Sequence, residues 1–241
     1  MKQINIEYNN NNYLFSYYQY DASGLGCIRE IITNNEYKLE KFIDVKNKFF
    51  IDIGANCGLV TIILAKQNPE SIILSYEPHY ETFLLLKNNV SINNLSNVKI
   101  FNMAVSDNNT KNIILTTTPG YSGGNTTHAD INIFKSQFNN HSEITNINVP
   151  CTSLDNIIKD NNIDIIELLK IDCEGAEYNI IYGSEIFKQH IIKNIVGEFH
   201  SLEYNIVDND INKLIEYSKL YVHGLMQITK LICVNGKFIL I

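Results

Sequence analysis

The chain has no Cys-x-x-Cys pair, no excess of basic residues, and no apolar run approaching the roughly 18 residues that a membrane-crossing helix needs. Each absence removes a class of function. Five cysteines (Cys27, Cys57, Cys151, Cys173 and Cys233), odd in number and scattered, argue against a disulfide framework and against a zinc knuckle. Reduced intracellular thiols are the expected state. With 19 basic against 26 acidic residues, the formal net charge is −7 and the isoelectric point is near 5.4. Such a balance offers no general attraction to phosphate backbones or anionic membranes, so nucleic acid and membrane partners are not expected. The opening segment Met1 to Glu7 lacks the apolar stretch of a signal peptide, so the expected compartment is the cytoplasm.

What is present suits one sizeable α/β core: 45% hydrophobic and 19% charged residues over 241 positions. The most informative stretch is Phe49 to Gly58, followed by Glu77 at the end of the next apolar run. It reads as strand, glycine turn, helix start, then a second strand ending in a carboxylate. Glycines permit a sharp turn and close backbone approach, a helix N-terminus offers free N–H groups, and an acid about twenty residues on accepts hydrogen bonds from ribose hydroxyls. The loop Gly54-Ala55-Asn56-Cys57-Gly58 lacks the full G-x-G-x-x-G set of a nicotinamide site. Asp52 beside it would repel a pyrophosphate but suits a sulfonium and an ammonium. The turn therefore favours S-adenosylmethionine over NAD.

Along the chain, tyrosine-rich alternation over Ile4 to Tyr8 and Tyr13 to Tyr20, separated by four asparagines, predicts a hairpin acting as a lid or edge. Helical spacing follows over Leu25 to Ile32 and again over Glu36 to Val45. Strand Phe49 to Ile53, helix Gly58 to Lys66, strand Ser71 to Tyr76, helix Glu81 to Ile92 and strand Val98 to Asn102 alternate with short loops, which predicts a doubly wound parallel sheet. Residues 103–150 break the alternation as a polar insertion with strands around Asn112 to Thr116 and Ile144 to Val149. The core resumes with a helix from Leu154 to Lys159, a strand from Ile165 to Ile171 and a strand from Asn194 to Phe199. From Leu220 to Ile241, with a turn at Asn235-Gly236, a closing antiparallel hairpin is expected. The expected organisation is a single domain over 1–241, with 1–44 an N-terminal β/α extension or lid and 45–241 the catalytic core.

Six tags occur in order: the Asp52-Ile53-Gly54-Ala55-Asn56-x-Gly58 loop, Tyr76-Glu77-Pro78, Ala104-Val105-Ser106-Asp107, Ser153-Leu154-Asp155, Lys170 to Glu177, and Glu198-Phe199-His200. Together they resemble the FkbM-type S-adenosylmethionine-dependent methyltransferases over about residues 45–200. The resemblance implies a Rossmann-like class I methyltransferase fold, a seven-stranded mostly parallel sheet whose last strand runs antiparallel. It also implies O-methylation of a hydroxyl on a sugar, glycan or nucleotide-sugar, as a small-molecule or glycan substrate. Residues 1–44 and 119–145 fall outside the resemblance and are where acceptor choice is expected.

The expected cofactor residues are Asp52, Gly54, Ala55, Asn56, Gly58, Glu77 and Pro78. Met103, Ala104 and Asp107 are expected near the adenine, although a methionine there serves equally as core packing. Asp172, Glu174, Glu198 and His200 are the expected catalytic groups: crowded carboxylates raise at least one pKa, and a base near Glu174 or His200 could accept a hydroxyl proton. Glu177 reads instead as the start of a helix, complementing its dipole. No metal is expected, although two or three carboxylates and a histidine could hold a divalent ion. A methyltransferase acting on RNA or protein, and a non-catalytic S-adenosylmethionine-binding scaffold, remain alternatives.

Overall fold

The structure, a computed structural model, describes residues 1–127 and 144–200 and the strand segments 226–232 and 238–239. Twelve strands and five α-helices occur within those residues. The first two strands, β1 (Lys2–Tyr8) and β2 (Asn11–Tyr17), pair antiparallel around Asn9 and Asn10, both in the left-handed region that asparagine tolerates. Helix α1 (Gly24–Asn34) follows and ends on a left-handed Asn35. The second helix expected over Glu36 to Val45 does not form. Only a 3₁₀ turn at Leu39–Lys41 is present, flanked by Lys38 and Asp44 at positive φ. Tyr37, Leu39 and Phe42 are all buried, a spacing that no single helical stripe provides, and their burial overrides local propensity.

The central sheet is built from β3 (Phe49–Ile53), β4 (Ile72–Tyr76), β5 (Val98–Phe101), β9 (Ile166–Ile171), β10 (Ile195–Glu198), β11 (Met226–Ile232) and β12 (Phe238–Ile239), in the order β12-β11-β10-β9-β3-β4-β5. Every pairing is parallel except β11 with β12. The order reverses at β3, between β4 and β9, so the C-terminal ends of these three strands flank the crevice of a switch point. The turn expected at Asn235-Gly236 lies outside the described residues, as does the stretch 128–143 of the insertion.

Both faces of the sheet are covered. Helix α2 (Leu59–Gln67) is apolar nearly all round and buried except at Lys66, because it is sandwiched between the sheet and the N-terminal hairpin. Helix α3 (Tyr80–Ile92) clamps β2 through side chains rather than sheet pairing: Ser16 N–H donates to Asn89 Oδ1 at 2.7 Å, and Asn93 Nδ2 donates to Leu14 O at 2.7 Å. The hairpin is thus packed as a flank on α3. On the opposite face, α4 (Leu154–Asn161), capped by Ser153, and α5 (Glu177–Gly183) close a cluster of aliphatic side chains with Phe187 and Phe199. The insertion forms its own small sheet, β6 (Ala104–Ser106) parallel to β8 (Thr145–Ser153), which pairs antiparallel with β7 (Asn112–Thr117).

Candidate active site

One cavity opens at the switch point. Its floor is the loop after β3, where Gly54, Asn56 and Gly58 all take positive φ. At Gly54 an added Cβ would lie 1.7 Å from the Asp172 carbonyl oxygen, so only glycine lets the first loop and the end of β9 approach so closely. An added Cβ on Gly58 would come within 2.5 Å of Leu86 Cδ1. The N–H groups of Gly54 and Ala55 donate to Tyr76 O at 3.1 and 3.0 Å, tying the loop to the end of β4. Gly54, Ala55 and Asn56 line the cavity; Gly58 sits behind it against α3.

Glu77 and Pro78 line the neighbouring wall. The Glu77 carboxylate accepts from Asn56 N at 2.9 Å through Oε2 and from His79 N at 2.9 Å through Oε1. Burial pushes its pKa up to about 7 against the opposing effect of these N–H donors. Asn102 Nδ2 fixes the turn by donating to the carbonyls of Glu77 and Pro78, each at 2.9 Å. Met103 and Ala104 also reach the cavity, beside Tyr76, Val105 and Leu115, and give this end an apolar surface suited to a flat ring.

Besides Gly58, two expected cofactor residues, Asp107 and Asp52, do not line the cavity. Asp107 does not line the cavity; its Oδ1 accepts from Asn109 N at 2.9 Å and Thr110 Oγ1 at 2.8 Å, which makes it the organiser of the β6–β7 turn. Asp52 is fully buried beneath the loop, where Thr61 Oγ1 donates to Oδ2 at 2.6 Å and Lys170 Nζ lies 3.3 Å from Oδ1. Its inward parity on β3 keeps it off the cavity lining. Lys170, quoted in the sequence without a role, is the residue that connects these layers. It donates to Gly54 O at 2.7 Å, faces Asp172 Oδ2 at 3.7 Å, and sits over the Tyr37 ring at 5.8 Å. Burial disfavours its charge, but Asp52 and Asp172 outweigh that and raise its pKa. A lone lysine in the apolar run Ile165 to Ile171, sharing the parity of Asp172, was the available signal.

Across the cavity stand the acidic groups. Asp172, Glu174 and Glu198 line it, with Asp172 Oδ2 accepting from Tyr37 Oη at 2.8 Å. Tyr37 comes from the segment read as a helix, and nothing in the sequence announced its reach. Glu174 is held at φ 57, an uncommon conformation for this residue type. The reason lies in Glu177, which begins α5 fully buried and accepts the N–H groups on both sides of Glu174, from Cys173 at 3.0 Å and from Gly175 at 3.1 Å. The helix-start reading of Glu177 holds for its place in the chain and misses what its carboxylate does.

His200 is buried behind these carboxylates and does not line the cavity surface. Its Nδ1 lies 3.0 Å from Glu177 Oε1, and its Nε2 lies 3.3 Å from Glu174 Oε2 and 3.5 Å from Glu198 Oε1. Burial lowers the His200 pKa, yet Glu174 and Glu177 raise it well above the usual value. Burial raises Glu174 to about 8, against the lowering effect of His200. Glu177 falls below its usual value, because His200 and the backbone donors overcome its burial. Asp172, Glu174 and His200 each offer one metal-ligand atom within 4.8 Å of the others. The thiols are not reactive groups here: burial pushes Cys57 up to about 12 and Cys173 well above its usual value.

The roof combines α1 with the described start of the insertion. Ile28 and Ile31 from α1 and Tyr121, Ser122 and Asn125 from the insertion line it. Ala22 N donates to Gly120 O at 2.8 Å, Ser122 N to Asp21 Oδ1 at 3.1 Å, and Gly123 N to Ser23 Oγ at 2.8 Å. Thr126 Oγ1 donates to the Glu174 carbonyl, connecting the roof to the acidic wall. Tyr13, Tyr17, Tyr18 and Tyr20 of the N-terminal segment do not line the cavity, and Tyr13 is fully buried against α2.

The description "Methyltransferase FkbM domain" matches residues 52–222, from the first loop acid past the acidic wall. The chain belongs to the FkbM methyltransferase family. Among curated proteins none matches it. Solved structures of other methyltransferases resemble it distantly. M. jannaschii TYW2 in complex with AdoMet is 20% identical over 41% of this chain and 42% of that one, with a TM-score of 0.29. Precorrin-6y C5,15-methyltransferase from Geobacter metallireducens is 12% identical over 85% and 75%, with a TM-score of 0.44. The tRNA (uracil-54, C5)-methyltransferase of Pyrococcus abyssi, solved with S-adenosyl-L-homocysteine, is 13% identical over 88% and 38%, with a TM-score of 0.40. This chain thus spans less than half of the M. jannaschii and Pyrococcus abyssi proteins. The matched domain over residues 52–222 is a methyltransferase domain. None of its described helices is long and apolar enough to cross a membrane.

Proposed function

We propose that this methyltransferase uses S-adenosylmethionine to methylate a hydroxyl group of a sugar or glycan. The observation that carries the reading is a single cavity with two unlike walls, a nucleoside-holding loop with Glu77 on one side and the Asp172–Glu174–Glu198–His200 cluster on the other. The cofactor fits the residues present: the Gly54 cradle admits no side chain, Glu77 turns a carboxylate to the cavity, and Met103 and Ala104 supply an apolar seat for adenine. When bound it supplies an electrophilic methyl group on a sulfonium.

Methyl transfer to oxygen needs little covalent help from protein. The chain must hold the hydroxyl in line at near-attack distance and take up its proton, and the carboxylate–histidine cluster is the group able to do so. Lys170 is the only basic side chain among the described lining residues, and it is occupied by Asp52 and the Gly54 carbonyl. A diphosphate would meet carboxylates there, so a neutral sugar or glycan is favoured over a nucleotide-sugar, and the same acidity together with the net charge of −7 disfavours RNA. A non-catalytic scaffold would have no use for the cluster. We further propose that residues 1–44 serve the core as a packed extension and that the compartment is the cytoplasm.

Mass spectrometry of the purified chain incubated with S-adenosylmethionine and a panel of neutral sugars and glycans tests the reading. One added methyl group on a sugar hydroxyl supports it. Turnover confined to RNA or protein, or binding of NAD in place of S-adenosylhomocysteine, overturns it.

A further inference from the structure

We propose that Asp172, Glu174 and His200 form a binding site for one divalent cation of the magnesium or manganese type, with Glu177 as the residue that orients the histidine. The three side chains come from the end of β9, the turn after it and the end of β10, so the fold and not a local sequence motif brings them together. Each presents one ligand atom, and all three atoms lie within 4.8 Å of one another. Bonds of roughly 2.0–2.2 Å around an octahedral ion leave its ligand atoms about 3 Å apart when adjacent and up to about 4.4 Å apart when opposite. His200 Nε2 and Glu174 Oε2, 3.3 Å apart, already have the spacing of adjacent ligands, and a side-chain movement of up to about 2 Å would bring Asp172 onto the same ion.

The second observation is His200 itself. It is 6% exposed, and its Nε2 is a buried nitrogen with no hydrogen-bond partner, aimed at the Glu174 and Glu198 carboxylates. Its Nδ1 faces Glu177 Oε1 at 3.0 Å. A carboxylate accepting from Nδ1–H orients the ring, so that a cation entering beside Glu174 would displace the Nε2 proton and take up its lone pair, with the carboxylate behind the ring as in the outer sphere of a metal-binding histidine. Glu177 is in turn fixed by the N–H groups of Cys173 and Gly175, so the same carboxylate sets the backbone at Glu174 and the ring at His200.

Charge supports a cation as well. Glu174, Glu177 and Glu198 converge on His200, with Asp172 beside them, while the nearby Lys170 is shared between Asp52 and Asp172. Two carboxylates with one imidazole suit a hard to borderline ion and leave coordination positions open toward the cavity. There an acceptor hydroxyl would bind as it loses its proton, and Glu198, which is not in the ligand set, is the neighbouring carboxylate to receive that proton.

The site is read from these side chains alone, so its test needs neither cofactor nor acceptor. Manganese(II) would be titrated into the full chain without S-adenosylmethionine and followed by electron paramagnetic resonance, which distinguishes bound from free ion. One equivalent bound per chain is expected. Glu177→Gln should weaken it by about 10–100-fold and Glu174→Gln or His200→Asn by more, with circular dichroism showing each variant folded. Glu174 is partly exposed, so its variant keeps the test open if His200→Asn fails to fold. A manganese signal unchanged by the protein, or binding unaltered in folded Glu174→Gln, overturns the site. A chain that binds manganese but not S-adenosylhomocysteine would overturn the methyl-transfer chemistry above and leave the metal site standing.

Discussion

Glu77 and Asn56, 21 positions apart in the chain, are joined by a 2.9 Å hydrogen bond from the Asn56 backbone N–H to Glu77 Oε2. The carboxylate at the end of β4 therefore shapes the loop after β3 while facing the ligand cavity. Its loss should be felt twice, as missing ribose contacts and as a loosened loop. Glu77→Ala is expected to weaken S-adenosylhomocysteine binding by roughly 1.5–3 kcal/mol for each charge-assisted hydrogen bond lost. Calorimetry measures this directly, and unchanged affinity would remove Glu77 from the cofactor site.

The same carboxylate predicts a pH dependence. In the empty protein burial raises Glu77 to about 7, so the folded chain keeps a proton that the unfolded chain releases at the lower, ordinary carboxylate pKa. Between those two pKa values the folded state binds more protons, and this group's contribution to stability falls as pH rises through that window. Ligand binding runs the other way, because ribose hydroxyls donate to the ionised form. Affinity for S-adenosylhomocysteine should rise by about tenfold between roughly pH 6 and pH 8, and Glu77→Gln should flatten that rise. A flat profile in the unaltered chain would count against an ionised clamp.

Beneath the loop, Lys170 and Asp52 are both buried, and removal of Lys170 leaves Asp52 without its counter-charge. Lys170→Met is expected to cost about 3–5 kcal/mol in urea unfolding. Lys170→Met combined with Asp52→Asn should be less damaging than additivity requires, since neither buried charge then remains. Strict additivity would show that the pair does not interact.

Gly54→Ala addresses the closest approach in the site. The new methyl would meet the Asp172 carbonyl oxygen on a backbone already at φ 74. The loop must shift, and a loss of stability on the order of 3 kcal/mol together with lost cofactor binding is expected. A variant of unchanged melting temperature that still binds S-adenosylhomocysteine would mean that β3 and β9 are less tightly apposed.

How far the sequence reveals this site depends on the range of each interaction. The loop, Glu77 and the parallel strands were legible because turn chemistry and apolar runs are local, and β3 begins and ends at the residues that the pattern marked. Glu177 was read as a helix start because its local position explains it fully; its contact with His200, 23 positions on, has no local trace. Tyr37 is a stronger case: it lies 135 positions from Asp172, in a segment whose apparent helical period dissolves into a 3₁₀ turn. Asp52 misled in the opposite direction. Its place beside the glycines is correct, but strand parity turns it inward to Lys170.

Acceptor choice is the last consequence, and of the two segments expected to govern it, the insertion supplies a tyrosine to the cavity. Tyr121 lines the cavity and is 37% exposed, whereas Tyr13 is fully buried in the core between β2 and α2. An aromatic face over a sugar ring contributes about 0.5–1.5 kcal/mol, so Tyr121→Ala should raise KM for a carbohydrate acceptor by up to about tenfold. Cofactor affinity and melting temperature should stay near those of the unaltered chain, because Tyr121 is 37% exposed and belongs to the insertion, not to the Gly54 loop or the central sheet. Tyr13→Ala should do the reverse, lowering stability by about 3–5 kcal/mol as a buried aromatic is lost while KM holds in the folded fraction. If Tyr121→Ala leaves KM unchanged, or abolishes S-adenosylhomocysteine binding together with turnover, the roof does not select the acceptor and the sugar-binding role of Tyr121 fails.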